Sequence, residues 1–248
     1  MTSWYEGPLA AFGTETTGVD VEEDRIVSAS LVVQEAAGAE LQVTRWVIDP
    51  GVPVPAEATA LHGLTEDFLH RNGRWPAPAT EEIARALAAQ HAAGRPLVIM
   101  DAPFGLTMLD RELRRHRASS FARYLERTLL CVLDPRVLDR HLDRYRKGRR
   151  TLTDLCAQYG VARGEAHEAT SDATAALDVV RAVGRRFALR MERLTAPELH
   201  TLQAVWHAAQ VRGPQARARR AWFPLGGTAV ASDPADWPLR DELPLAAA

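Results

Sequence analysis

The stretch AAFGTETTG, residues 10–18, joins a short apolar run to a single acid, Glu15, and a pair of threonines. Gly13 and Glu15 are two positions apart, so on a strand both positions point to the same face of the sheet. An isolated acid at the end of a strand is more often a surface or capping residue than a ligand. Its role therefore depends on what the rest of the chain brings beside it.

The composition is that of an ordinary globular protein. The chain has 248 residues, 46% of them hydrophobic and 25% charged, which suits one main domain with an appendage. The formal net charge of −2 gives no general attraction to polyanions, so a nucleic-acid site would have to come from local basic stretches. Cys131 and Cys156 lie in apolar surroundings that favour reduced thiols. No leader pattern or membrane span is visible, and we expect a cytoplasmic protein without membrane contact.

Hydrophobic patterns predict an α/β fold. Strands at residues 8–12, 25–33 and 41–48 form an antiparallel meander. Two later strands, at residues 96–100 and 129–133, alternate with helices, which predicts a mixed sheet covered on both faces. The predicted helices cover residues 81–93, 106–116, 135–142, 151–160, 168–191 and 195–210.

Two further segments carry residues with chemistry. One is VIMDAPFG at residues 98–105, which ends a predicted strand, and the other is HEATSDA at residues 167–173. His167 precedes Asp172 by five positions, so the histidine can lie in a loop while the aspartate faces inward from the first turns of a helix. An acid favoured by the helix dipole beside a loop histidine would give the same pattern without any function.

Taken in order, these motifs resemble those of the DnaQ-like 3′-5′ exonucleases of the DEDDh class, which have an RNase H-like fold. The first motif of that family, F-D-x-E-T-T-G, is similar to residues 12–18. The second, H-N-A-x-F-D, is similar to residues 100–105, and the third, H-x-x-x-x-D-A, to residues 167–173. The resemblance covers roughly residues 8–188.

The resemblance implies an RNase H-like α/β domain over residues 1–191, with a five-stranded mixed sheet in the order 3-2-1-4-5 and helices on both faces. A helical extension and an irregular tail would follow over residues 192–248. It also implies removal of nucleotides from the 3′ end of single-stranded DNA or RNA by a pair of Mg²⁺ or Mn²⁺ ions held by four carboxylates. Glu15 and Asp172 match two of these acids, and His167 matches the general base.

The sequence departs from the family pattern at two of the four acids. Gly13 and Gly105 stand at these positions, and glycine has no side chain that could bind a metal. The loss of two negative charges predicts weakened metal binding and impaired catalysis. Asp101, where the family usually has Asn, is a candidate substitute ligand or a loop-capping residue. The glycines themselves could instead serve tight packing, or an N-cap at Gly105.

Several explanations of the glycines stay open. The chain could be a pseudonuclease that binds nucleic acid or a partner, for example in replication or repair, without turnover. It could be an inactivated version of an active parent, or an exonuclease with a substitute ligand. A nucleotide or small-molecule phosphodiester hydrolase on the same scaffold is a weaker alternative.

Two groups of residues are candidates for contact with a single strand. By resemblance, the turn Thr16-Thr17-Gly18 and the segment from His62 to Thr65 border the 3′-terminal nucleotide. The stretch DRYRKGRR at residues 143–150 mixes an aromatic side chain with cations, which suits bases and phosphates, although a solvated loop would have the same composition. The residues proposed there are Tyr145, Arg146 and Lys147. Phe104 is expected to pack in the core.

Overall fold

The computed structural model of the chain describes residues 3–125, 130–212 and 236–240. Within these residues a five-stranded sheet has the order β3-β2-β1-β4-β5. β2 pairs antiparallel with β1 and with β3, whereas β4 pairs parallel with β1 and with β5. The predicted fold class, sheet order and antiparallel meander are confirmed. The strands are β1 (Leu9–Thr16), β2 (Ile26–Gln34), β3 (Leu41–Val47), β4 (Leu97–Val98) and β5 (Val132–Leu133).

Helices cover both faces of the sheet. One short 3-10 helix, Phe121–Tyr124, follows α4. The α-helices are α1 (Ala56–His62), α2 (Glu66–Asn72), α3 (Pro76–Ala92), α4 (Ala102–Arg117), α5 (Pro135–Leu142), α6 (Leu152–Tyr159), α7 (Ala169–Arg186), α8 (Ala188–Met191) and α9 (Ala196–Arg212).

The side chains of β1 alternate between two cores because a strand repeats every two residues. Ala10 and Phe12 pack in the core on the α3 and α4 side, together with the half-buried Phe104. Leu9 and Ala11 pack in the core on the α5, α6 and α7 side. Positions 13 and 15 continue the second series, so they face α7.

Several element bounds differ from the sequence prediction. β1 continues to Thr16 because Glu15 still pairs with Ser28 of β2. α4 begins at Ala102 rather than residue 106, since Pro103 stands in the first turn, where its missing N–H would have no partner within the helix. The helix predicted over residues 168–191 is interrupted at Phe187, where the backbone leaves helical geometry. Residue 129 and the tail beyond residue 212, apart from 236–240, lie outside the described residues.

Both cysteines are free, as predicted. Burial raises the pKa of the Cys131 thiol to about 12, which makes that thiol chemically inert at neutral pH. None of the helices in the described ranges has the length and apolar composition needed to cross a bilayer.

Helix α9 is hydrogen-bonded to β5 through one fully buried side chain. Gln203 Nε2 donates to the Val132 carbonyl at 3.0 Å, and the Asp134 N–H donates to Gln203 Oε1 at 2.8 Å. These bonds satisfy backbone groups on the side of β5 that faces away from β4. The domain boundary between residues 191 and 192 stays a prediction, but α9 packs directly on the sheet-bearing part of the chain.

Replacing Gln203 with Leu should destabilise the protein by about 2–4 kcal/mol, because two buried backbone groups lose their partners while the volume is nearly kept. Chemical denaturation of the full chain measures this change. The control Val205→Ala, on the exposed side of the same helix, should change the free energy of unfolding by less than about 0.5 kcal/mol. Equal effects of the two substitutions would contradict a specific role of Gln203.

Candidate active-site cleft

Glu15 lies near the end of β1 on the face that α7 covers. The first turn of α7 brings Asp172 beside it, and the carboxylates of Asp172 and Glu168 both act electrostatically on Glu15. Glu168 is the N-cap of α7, and its carboxylate accepts a hydrogen bond from Ser171 N at 2.7 Å. A strand end and a helix start therefore share one acidic cleft.

The environment of Glu15 disfavours its charged form. Burial raises the pKa of Glu15 to about 7, and the negative charges of Asp172 and Glu168 act in the same direction. The guanidinium of Arg163 opposes them. Near neutral pH, Glu15 therefore exists as a mixture of carboxylate and carboxylic acid.

Arg163, from the loop between α6 and α7, supplies a positive charge inside this cleft. Its Nη2 donates to Asp172 Oδ1 at 2.7 Å, and its Nη1 donates to the hydroxyl of Thr153 in the first turn of α6. The side chain is only 13% exposed. A protein cation thus neutralises one of the two motif acids that the sequence retains.

Gly13 lies where α7 approaches the sheet most closely. A Cβ at this position would come within 2.6 Å of the Ala169 carbonyl oxygen and 3.4 Å of Ala173. A contact of 2.6 Å with a backbone atom requires the helix to move. The tight-packing explanation of Gly13 is therefore supported by the geometry, and a side chain there is incompatible with the present position of α7.

Gly105 has a different environment. It lies within the first turn of α4, and a Cβ there would make an ordinary contact of 3.5 Å with Ile99 Cγ2. The N-cap explanation of Gly105 is wrong, because Asp101 is the N-cap of this helix and the Gly105 N–H donates to the Asp101 carbonyl. Packing does not explain the absence of a side chain at this position.

Asp101 is held by a neighbouring arginine. Its backbone has left-handed geometry, with φ 59° and ψ 54°, and Oδ2 accepts a hydrogen bond from Arg136 Nη1 at 2.8 Å. The side chain is 42% exposed. A role for Asp101 as a substitute ligand stays a prediction, and it would compete with the ion pair to Arg136.

His167 and His62 lie close enough to influence each other. His167 is exposed and has left-handed backbone geometry, with φ 60°, one residue before the N-cap of α7. Burial lowers the pKa of His62, an interaction with the Thr16 backbone opposes this, and the proximity of His167 adds to the lowering. The two motifs that contain these histidines therefore meet at the end of β1.

The threonines expected near the 3′-terminal nucleotide use their hydroxyls within the protein. Thr16 Oγ1 donates to the Gly18 carbonyl at 2.6 Å, and the buried Thr17 donates to Asp24 Oδ1 at 2.7 Å. Gly18 lies against the Asp24 carboxylate, so a Cβ there would clash with it. Thr65 Oγ1 caps α2 by accepting from Phe68 N. Contacts of Thr16, Thr17, Gly18 and Thr65 with a ligand would therefore use their backbone, together with neighbouring side chains.

The basic stretch at residues 143–150 forms the loop between α5 and α6. Arg146 is 14% exposed and its guanidinium binds the buried carboxylate of Asp139. Tyr145 and Lys147 are exposed. A role of Arg146 in binding nucleic acid stays a prediction, and its present partner is structural.

Sequence reasoning missed two members of the cleft, Arg163 and Glu168. For Glu168 a signal existed, since it directly precedes the predicted helix and acidic residues are favoured N-caps. Arg163 lies in a loop of irregular sequence, and no motif marks its contact with Asp172.

The cleft does not fit a pair of divalent ions. In the described ranges no three His, Cys, Asp or Glu side chains come together in a way that could hold an ion. Asp172 is paired with Arg163, and α7 fills the space beside Gly13. A metal-bridged step is therefore not supported by this arrangement.

The chain belongs to the RNase T family, whose description is "Exonuclease", because residues 11–180 match that family. Relatives include a DNA polymerase III subunit epsilon and a subunit epsilon-like protein, so the DnaQ-like assignment is confirmed. Exonucleases of this family typically act with divalent metal ions.

Three relatives illustrate the range of similarity. A DNA polymerase III subunit epsilon-like protein of Rhodobacter capsulatus is 36% identical over 106 residues, 42% of this chain and 14% of the relative. The DNA polymerase III subunit epsilon of Treponema pallidum is 27% identical over 173 residues, 69% of this chain and 74% of the relative. An uncharacterised exonuclease of Escherichia phage 186 is 27% identical over 187 residues, 73% and 91% of the two chains.

Among solved structures, Exonuclease I has a TM-score of 0.64 at 15% identity, over 76% of this chain and 43% of that chain. E. coli Exonuclease I in complex with a dT13 oligonucleotide has a TM-score of 0.61 at 13% identity, over the same shares. The likeness confirms the RNase H-like fold. This chain spans less than half of the Exonuclease I chains.

The two glycines should respond oppositely to the same substitution. Gly13→Ala should cost roughly 1–3 kcal/mol of unfolding free energy, because its Cβ meets the Ala169 carbonyl. Gly105→Ala should raise the free energy of unfolding by up to about 1 kcal/mol, because alanine favours the helical backbone more than glycine does and its Cβ meets no clash. Denaturant melts of the two variants measure both changes, and a loss of similar size at both positions would contradict the close approach of α7 at Gly13.

Stability should depend on pH through Glu15. The pKa of Glu15 is about 7 in the folded chain and 4.5 in its unperturbed state. The folded state thus retains a proton that the unfolded state releases between these values, so stability falls as the pH rises through this window. In buffer with chelator, we compare the free energy of unfolding of Glu15→Gln with that of the parent. As the pH rises from about 5 to about 8, this difference should increase by about 2–3 kcal/mol in favour of the variant. The exposed control Glu165→Gln should show no such trend, and parallel pH curves for the parent and Glu15→Gln would overturn the assignment.

Proposed function

We propose that this chain binds the 3′ end of single-stranded DNA or RNA in the cleft around Glu15, while its hydrolysis of the terminal phosphodiester is severely impaired. The observation that carries the proposal is the ion pair between Arg163 and Asp172 beside Glu15. It provides a protein cation where the family pattern expects metal ions. Membership of an exonuclease family supports a nucleic-acid ligand.

The charge balance of the cleft supports impaired hydrolysis. Two divalent ions carry four positive charges, whereas only Glu15 and Asp172 remain of the four motif acids. Arg163 already offsets one of these two charges. Two unit charges 4 Å apart interact by about 4 kcal/mol at an effective dielectric constant of 20, so each missing carboxylate weakens ion binding considerably. We therefore expect at most one Mg²⁺ or Mn²⁺, weakly held.

The segments beside the cleft suit the binding of a nucleic-acid 3′ end. Val19, Leu61 and Phe68 are exposed apolar side chains that flank the Thr16-Thr17-Gly18 turn and the segment from His62 to Thr65. Bases stack on apolar and aromatic side chains irrespective of sequence. The partly protonated Glu15 can donate a hydrogen bond to a ligand oxygen.

Any residual hydrolysis should depend on His167. It lies in the loop between α6 and α7, and its side chain is exposed, so a water molecule next to a bound nucleic-acid strand can reach it. A neutral imidazole accepts a proton from water near physiological pH. A second candidate explanation of residual hydrolysis is that Asp101 binds a metal ion as a substitute ligand. The partly exposed carboxylate of Asp101 favours this explanation.

Binding and hydrolysis are tested separately on a 5′-labelled single strand. The unaltered chain should bind in EDTA, and with Mg²⁺ or Mn²⁺ it should cut at least roughly 10³-fold more slowly than the usual 1–10³ s⁻¹ of enzymes. Gly105→Asp/Arg163→Gln should increase Mn²⁺-dependent cutting, whereas the matched Gly105→Asn/Arg163→Lys should not. Gly13→Asp is unsuitable for this purpose because its side chain would collide with the Ala169 carbonyl.

Two outcomes would overturn the proposal. Cutting by the unaltered chain at an ordinary enzymatic rate, abolished in His167→Ala, would show an active exonuclease. The additional substitution Asp101→Asn would then reveal whether that residue serves as a ligand. Failure of the unaltered chain to bind DNA or RNA single strands would show that the cleft has lost its nucleic-acid function.

A further inference from the structure

The loop between α5 and α6 is built around one buried charge. Asp139 is fully buried, and its carboxylate accepts hydrogen bonds from Arg146 Nη2 at 2.7 Å, Arg150 Nε at 2.6 Å and the Tyr159 hydroxyl at 2.8 Å. A buried carboxylate is tolerated only when it is paired and hydrogen-bonded. These contacts fix both ends of the segment between Arg146 and Arg150.

The same loop presents four other side chains to solvent. Tyr145 is 87% exposed, and the guanidinium of Arg144 lies 5.7 Å from the centroid of its ring. Lys147 and Arg149 are exposed as well. The salt bridges of the loop belong to Arg146 and Arg150. We call the exposed set, Arg144, Tyr145, Lys147 and Arg149, the basic loop surface.

A further cation from another helix lies near this loop. Burial lowers the pKa of His141, and the charges of Arg190 in α8 and of Arg144 lower it further. These two cations therefore lie near the same imidazole. An exposed aromatic ring amid cations has no packing function in the described part of the chain, and this combination favours single-stranded nucleic acid.

The basic loop surface lies close to the cleft along the chain. Arg149 is four residues from Thr153, whose hydroxyl accepts from the Arg163 that binds Asp172. Four residues of extended chain span at most about 14 Å. A stacked strand advances about 3.4 Å per nucleotide, so a few nucleotides cover the distance from Arg149 to Thr153.

We propose that the basic loop surface binds the segment of single strand on the 5′ side of the nucleotides held in the cleft. Tyr145 stacks on a base while Arg144, Lys147 and Arg149 contact phosphates. Asp139 holds the loop in this arrangement before the strand arrives, which reduces the ordering cost of binding. The proposal rests on the proposed function, since it takes the 3′ end to lie in the cleft.

The test measures fluorescence anisotropy in EDTA with oligonucleotides of about 15 and about three nucleotides. Lys147→Ala/Arg149→Ala should weaken binding of the longer strand about tenfold and reduce its salt slope by about 1.4, while affinity for the shorter strand is unchanged. The control is Arg123→Glu in the 3-10 helix on the other face of the sheet, which changes the net charge by the same amount. It should leave both affinities unchanged.

Stacking is tested with Tyr145. Tyr145→Ala should weaken binding of the longer strand roughly tenfold, while Tyr145→Phe should retain it. Heparin, a polyanion without bases, should bind Tyr145→Ala and the parent equally. All these residues are exposed, so thermal melts should match the parent and exclude unfolding as a cause.

The outcomes separate this proposal from the proposed function. Three results would contradict a role of the basic loop surface in binding. The loop variants could lose affinity equally for both oligonucleotide lengths, or Arg123→Glu could weaken binding as much as they do. Tyr145→Ala could also lose as much affinity for heparin as for the longer strand. If the loop variants bind normally while His62→Ala weakens both lengths, the cleft function stands and the loop proposal fails. If His62→Ala has no effect while the loop variants lose the longer strand, the loop binds a strand that the cleft does not hold, and the proposal as stated fails together with the proposed function.

Discussion

The close approach of α7 to the end of β1 is the constraint on which the cleft depends. Position 13 faces this helix and carries no side chain, so the Ala169 carbonyl oxygen can lie within 2.6 Å of the point that a Cβ would occupy. The first turn of α7 then brings Asp172 and Glu168 beside Glu15. Burial of Glu15 raises its pKa, and the negative charges of Asp172 and Glu168 raise it further. The same charges make a nearby cation favourable.

Arg163 offsets part of the negative charge of these acids. The positive charge beside Asp172 therefore comes from a protein side chain. A guanidinium is a permanent cation that forms directional hydrogen bonds, here to Asp172 and to Thr153. A divalent ion would compete with Arg163 for the negative charge of the Asp172 carboxylate. The absence of a carboxylate at Gly13 and at Gly105 and the pairing of Arg163 with Asp172 therefore act in the same direction, because each lowers the negative charge available to a metal ion.

Local patterns predicted much of the fold, and ordered motifs predicted where Glu15, His167 and Asp172 lie, because strand alternation and helix starts are properties of neighbouring residues. Contacts between distant loops were not predictable in this way. The pairing of Asp101 with Arg136 joins positions 35 apart in sequence. The ion pair of Arg146 with Asp139 likewise depends on how α5 ends, so the sequence did not show that this arginine has a buried carboxylate as its partner.

The bonds from Gln203 to the backbone around β5 also cover backbone groups at the outer edge of the sheet. A bare edge strand offers unpaired N–H and carbonyl groups that can extend a sheet into a neighbouring molecule. Here the Gln203 amide, from a helix, hydrogen-bonds the Val132 carbonyl and the Asp134 N–H in place of a neighbouring strand. A chain cut before α9 would leave these two backbone groups without the Gln203 side chain, so we expect it to self-associate through this edge more readily than the full chain.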